Sequence, residues 1–273
     1  MGAPSGFMIP DLPPGVAPGR SARGQTEVTL RFVRSAAAMT DHHETTVRVL
    51  RVFTDATGRH GNALGVVDGA LVGQDDRQRV AHELGFSETI FIDDYATGEL
   101  RIFTPAAELP LAGHPLVGAA WLLLGEPGAP TVLELRPPGG LVRSWADAND
   151  RTWIEAPLGT LPDWTLVQLG SPAAIEGLSG PLQPDHDHVV YWAFIETGVL
   201  RVRCFAPRFG IAEDEATGSA ALLLTALLEQ PIEIRQGKGS LLCARPVDAS
   251  RAAVGGLVVE DEPLHLVAQS PAD

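Results

Sequence analysis

The 273-residue chain is poor in several features that would otherwise narrow its function at once. Cys204 and Cys243 are its only cysteines, which excludes a disulfide-stapled scaffold and fits a reducing compartment. Lys238 is its only lysine, and 20 basic against 34 acidic residues leave a formal charge of −14. A surface that neutralises nucleic-acid phosphates needs clustered positive charge, so that class of partner is excluded. The acidity serves solubility. No segment reaches the roughly 20 apolar residues of a bilayer span. Residues 1–38 lack the apolar core of a secretory signal. These absences lead to the expectation of a soluble, cytoplasmic protein with no nucleic-acid and no membrane partner.

What is present is a large apolar fraction, 45%, enough to bury a substantial core in one large or two ordinary domains. Residues 1–46 are rich in Gly, Pro, Ser and charge, and are expected to be a disordered N-terminal extension. Within them Met39 is expected to be the true start of translation. His42-His43 with Glu44 reads as a solvated tail rather than a metal site, since nothing rigid holds the three together. Asp185-His-Asp-His188 is likewise read as a polar loop, because ligand spacing without a closed set of ligands is weak evidence. No metal site is expected.

From Val47 onward the pattern becomes regular. Val47–Phe53 and Leu64–Val67 alternate as strands around a Gly58, Gly61, Asn62 turn. Asp75–Leu84 reads as an amphipathic helix ended by Gly85. Phe86–Ile92 is strand-like, with Glu88 at its mouth. Residues 131–136, 141–146 and 151–156 predict a three-stranded meander. Pro157–Pro162 reads as a linker, followed by a strand at 163–169, a short helix at 171–178 and a strand at 189–196.

The stretch from Leu100 to Gly125 stands out as a strand, a turn-rich loop and an abruptly started, almost wholly apolar helix. Pro115 suits a first helical position, and Gly125 suits a left-handed cap. A buried helix that begins at Gly113-His114 presents unpaired N–H groups and positive dipole character there, suited to an anion. The pattern then recurs. Arg101-Ile-Phe103-Thr-Pro105 returns as Arg203-Cys-Phe205-Ala-Pro207, and Gly113-His114 returns as Gly218-Ser219. Two such units about a hundred residues apart predict two related lobes, each with a central buried helix. If the two helix starts face one cleft, a carboxylate there would receive backbone donors from both sides. Small residues at Gly113 and Gly218 would let it approach the main chain. The proton-transfer candidates near these starts are Glu88, His114 and Asp214.

Phe86-Ser-Glu-Thr-Ile-Phe91, Phe103-Thr-Pro with Leu111-Ala-Gly-His-Pro115, and Arg203-Cys-Phe-Ala-Pro with Glu213-Asp-Glu-Ala-Thr-Gly-Ser-Ala-Ala221 together resemble the phenazine-biosynthesis PhzF family. Ile234-Arg-Gln-Gly237 matches more loosely. The resemblance runs from Val47 to about Val259. It implies an α+β, diaminopimelate-epimerase-like fold: two pseudo-symmetric lobes, here 47–157 and a shortened 158–273, each a β-rich sheet around a central helix, with the active site between them. It further implies a cofactor-independent isomerase that shuttles a proton on a small carboxylated substrate like trans-2,3-dihydro-3-hydroxyanthranilate, and a homodimer. By position, Glu88 takes the family's acid–base role, with His114 and Asp214 beside it. Ser87, Gly113, Gly218, Ser219 and Asn62 become substrate contacts. Diaminopimelate epimerase uses two cysteines at its helix starts; this chain has His114 and Ser219 there, which disfavours a two-thiol racemase. The interval from Pro157 to Arg203 is shorter than the family pattern, and part of the second sheet is expected to be missing. That keeps open two other readings, a non-catalytic small-molecule-binding protein and a racemase or epimerase.

Overall fold

The computed structural model describes residues 29–33 and 44–269. The first half contributes β1 (Thr29–Val33), β2 (Glu44–Thr54), β3 (Asn62–Asp68), α1 (Arg77–Leu84), β4 (Glu88–Asp94), β5 (Glu99–Phe103), β6 (Glu108–Leu109) and α2 (Gly113–Leu124). A meander follows, β7 (Val132–Leu135), β8 (Val142–Ala146) and β9 (Thr152–Pro157). The second half holds β10 (Thr165–Gln168), α3 (Pro172–Glu176), β11 (Val189–Glu196), β12 (Val199–Ala206), β13 (Ile211–Asp214) and α4 (Gly218–Leu228). It closes with β14 (Ile232–Gln236), β15 (Ser240–Asp248) and the long β16 (Arg251–Gln269).

The echo in the sequence extends to the pairing. β3 and β4 are parallel across α1, β4 and β5 form an antiparallel hairpin, β6 adds to β5, and α2 follows. In the second half β10 and β11 are parallel across α3, β11 and β12 form the hairpin, β13 adds to β12, and α4 follows. Alternation along the strands sorts their side chains to two faces. Ile90 and Ile92 of β4 join the main core while Phe91 joins an outer cluster with Val80 and Ala81 of α1. Val190 and Trp192 of β11 face the main core while Tyr191 packs outward with Ile175 of α3. The main core is filled by α2 and α4, whose Leu116, Val117, Ala120, Ala221, Leu222 and Leu224 are buried.

One strand spans both halves. Residues Arg251–Gly256 of β16 pair with β9, and from Leu257 onward the same strand pairs with β2. Its far end also receives β1, with Val33 opposite His265. Within the stretch 1–46, Thr29–Val33 and Glu44–Thr46 lie in these strands. The exposed edge of β16 offers backbone donors and acceptors that an adjacent segment can satisfy. The expected Met39 start and the His42-His43 pair lie outside the described residues.

Smaller corrections concern the ends of α2. Ala112 precedes its first residue, so Pro115 is the third helical residue rather than the first, and its missing N–H still costs no helical bond. Gly125 stays right-handed at φ −77°, and Gly128 at φ +83° makes the reversal. Gly85, at φ +67°, is the left-handed cap expected for α1. The short interval after Pro157 yields a four-residue β10 and a five-residue α3. Each strand from β3 to β6 nevertheless has its counterpart between β10 and β13. What is shorter than in the first half is β10 and α3, while the pairings remain.

Candidate active site

The starts of α2 and α4 meet back to back. A Cβ added to Gly113 would lie 2.9 Å from the Cα of Gly218, and one added to Gly218 would lie 3.0 Å from the Cα of Gly113. Only glycine permits that approach, and it brings the unpaired N–H groups of two first turns to one place. Neither helix has a side-chain cap to occupy them. His114 sits in the first turn of α2, 5% exposed, and Ser219 in the first turn of α4.

Glu88 opens β4 opposite Leu64 of β3, and its side chain is 14% exposed. One carboxylate oxygen lies 3.3 Å from Nε2 of His114. The two atoms are not aligned as a hydrogen bond, and among the described residues neither has any other partner. Burial raises the Glu88 pKa to about 7, with the Ser87 hydroxyl opposing. Burial lowers that of His114 to about 4, with the charge of Asp214 opposing. These directions make the pair neutral between them, a protonated carboxyl beside an unprotonated imidazole, rather than an ion pair.

Asp214, at the end of β13, completes the group. Burial and then the charge of Glu88 raise its pKa; Thr217, His114 and Asn62 oppose the rise. Its two oxygens are held: Asn62 Nδ2 donates at 2.7 Å and Thr217 Oγ1 at 2.6 Å. Gln236, 1% exposed, locks the arrangement. Its Nε2 donates to the Asp214 carbonyl at 2.8 Å and to Thr217 Oγ1 at 2.7 Å, while its Oε1 accepts from Thr217 N at 3.1 Å. Ser87 Oγ donates to Asn62 Oδ1 at 3.4 Å within the first half, and the bond from Asn62 to Asp214 ties that half to the second.

All eight residues singled out in the sequence thus lie around the joined helix starts or in side-chain contact with groups that do. Glu88 is not an exposed edge residue, His114 is not in a loop, and Asp214 and Ser219 do not cap α4. Neither thiol stands at a helix start: Cys204 of β12 is buried, which pushes its pKa up with the Thr217 hydroxyl opposing, and Cys243 belongs to β15. Sequence reasoning missed Thr217, Gln236 and Trp164, whose indole N–H donates to Ser219 Oγ at 2.9 Å. Gln236 and Thr217 carried a signal, as parts of the quoted motifs; Trp164 carried none. Among the described residues no group of three His, Cys, Asp or Glu side chains is arranged for a metal ion. His186 and His188 instead bond to Tyr191 Oη and to the Asp163 carbonyl. No helix among those residues is long and apolar enough to cross a membrane.

The profile of the phenazine biosynthesis-like protein family, PhzC-PhzF, matches residues 50–176. A trans-2,3-dihydro-3-hydroxyanthranilate isomerase of Pseudomonas fluorescens is 32% identical, over 59% of this chain and 74% of that protein. Among solved structures, the PhzF-family phenazine biosynthesis protein of Bacillus anthracis superposes with a TM-score of 0.64 at 19% identity, covering 81% of this chain and 98% of that one. A hydroxyproline epimerase of Agrobacterium vitis superposes at 0.57 with 12% identity, covering 84% and 93%. These two likenesses are of fold: a mixed sheet with few helices, common to PhzF proteins and to an epimerase.

Proposed function

The chain belongs to the PhzC-PhzF family, and on that premise we propose that it is a cofactor-independent isomerase whose acid–base group is Glu88. The substrate class is a small cyclic carboxylate resembling the trans-2,3-dihydro-3-hydroxyanthranilate named for the Pseudomonas fluorescens relative. One observation carries the reading. A carboxyl with a pKa of about 7 and an oxygen free of partners stands 3.3 Å from an imidazole, beside two joined helix starts. A proton-transfer group works best when its pKa lies near the working pH.

In its ionised form Glu88 takes a proton from one ring carbon. The electron pair of that C–H bond moves into the adjacent unsaturation, and a new C–H bond forms at a second carbon when Glu88 returns the proton. No atom and no electron is gained or lost, so the step needs no redox partner. His114 is uncharged at neutral pH and hydrogen-bonds or relays; Asp214, fixed by Asn62 and Thr217, faces the substrate's polar substituents. Gly113, Gly218, Ser219 and the backbone N–H groups around them receive the carboxylate, with Ser87 and Asn62 as further contacts. The two matching halves are read as pseudo-symmetric, diaminopimelate-epimerase-like lobes with the cleft between them. Incubation of candidate cyclic amino carboxylates in D2O tests the proposal: NMR should show deuterium at a new carbon, and Glu88→Gln should abolish it. Undiminished exchange in that variant excludes Glu88 as the base. Deuterium uptake with inversion at one centre would make the enzyme an epimerase instead.

A further inference from the structure

We propose that Trp164 is a positioning residue that aims the Ser219 hydroxyl at the substrate's carboxylate. This rests on the reading above, in which the carboxylate occupies the joined helix starts. A serine hydroxyl has one proton to give and two lone pairs to accept with. In a helix it can turn that proton back onto a carbonyl three or four residues earlier. Ser219 does not. Its oxygen accepts from Trp164 Nε1 at 2.9 Å, and among the described residues its proton goes to no protein acceptor. The indole thus takes one lone pair, turns the hydroxyl by doing so, and leaves the proton for a ligand.

The donor is itself held rigidly. The Trp164 ring stacks on His188 with centroids 3.5 Å apart and planes 26° apart. His188 is 5% exposed, and its Nδ1 lies 2.5 Å from the carbonyl of Asp163, the residue before Trp164. Phe209 meets the other side of His188 edge-on at 5.0 Å. Three rings and one main-chain bond fix the direction of the indole N–H before any ligand arrives. A preorganised donor of this kind costs no reorganisation on binding. Trp164 lies 55 residues from Ser219, between the linker and β10, and outside the motifs that mark the rest of the site.

Calorimetric binding of anthranilate and of its neutral amide, anthranilamide, separates this role from ordinary packing. Trp164→Phe keeps an aromatic ring to stack on His188 and removes the N–H together with part of the indole, a packing loss that would weaken both probes alike. The variant should bind anthranilate roughly three- to tenfold more weakly, the effect of one lost hydrogen bond. Anthranilamide should be affected less than twofold, and Trp164→Phe should add nothing in a Ser219→Ala background. In the exchange reaction KM should rise with kcat unchanged, as for binding shared by ground and transition states. Equal weakening of both probes, no weakening, or an additive loss in the double variant would overturn the proposal. So would a wild-type protein that does not prefer the carboxylate. Wild-type protein that binds anthranilate yet exchanges no deuterium with any cyclic substrate would sink the isomerase reading and leave the Trp164 assignment standing.

Discussion

The two helix starts are built alike and furnished differently. Beside α2, Glu88 Oε2 and His114 Nε2 are buried with no hydrogen-bond partner. Beside α4, every polar atom of Asp214, Thr217 and Gln236 that the site uses is engaged, in bonds of 2.6 to 3.1 Å. A buried polar atom without a partner is costly, and such groups concentrate where chemistry needs them. The contrast assigns the work. In the proposed reaction, one half keeps an acid and a base free to exchange a proton, and the other supplies a fixed polar wall. Two halves with matching strand order can thus do unlike things.

The contrast breaks most sharply at Glu88. Glu88→Gln keeps the shape and removes the titration, and the isotope-exchange rate should fall by roughly 10²- to 10⁴-fold, the range for a lost general acid–base group. Next comes the pH dependence of stability. The folded pKa of Glu88, about 7, exceeds its ordinary 4.5, so its stabilising contribution is complete below pH 4.5 and is lost as pH rises through 7. His114 runs the other way. Its folded pKa of about 4 lies below 6.5, so its contribution is complete above pH 6.5 and is lost as pH falls through 4. In wild type the two slopes oppose each other. Denaturant melts of Glu88→Gln should therefore show stability rising between pH 4.5 and 6.5, and those of His114→Gln should show it falling. Each arm amounts to at most about 3 kcal/mol; slopes of the same sign would mean that the pair does not titrate as described. The smallest effect concerns the glycines. Gly113→Ala and Gly218→Ala each press a methyl into the opposite backbone, at a cost of about 1–3 kcal/mol. Because both relieve the same contact by parting the helix starts, melts of the double variant should show less than the sum. A simple sum would mean that the starts do not touch.

Much of this arrangement was legible in the residues. The apolar helices, the Arg-x-Phe-x-Pro strands and the glycines at both helix starts are local patterns, and they located the two units before any coordinates. Glu88 and Asp214 were legible through motifs. The missing parts depend on chain segments that meet only after folding. Trp164 reaches Ser219 across 55 residues, and Asn62 reaches Asp214 across 152. No periodicity records such meetings. The pairing of β1 with β16 was missed because residues 1–46 have the composition of a tail. The edge that recruits Thr29–Val33 belongs to the other end of the chain. The length of the interval after Pro157 suggested that part of the second sheet was missing, whereas β10 and α3 are short and their pairing is kept.

The central claim is that Glu88 is a carboxyl poised near neutrality in the half of the site that leaves one of its oxygens without a hydrogen-bond partner among the described residues. Carboxyl-carbon NMR of protein labelled at the glutamate side chains, with the Glu88 signal assigned by its loss in Glu88→Gln, measures that directly. The expected titration midpoint is about 7. A midpoint near the ordinary 4.5 would show an exposed or ion-paired carboxylate and would contradict the assignment of Glu88 as the acid–base group.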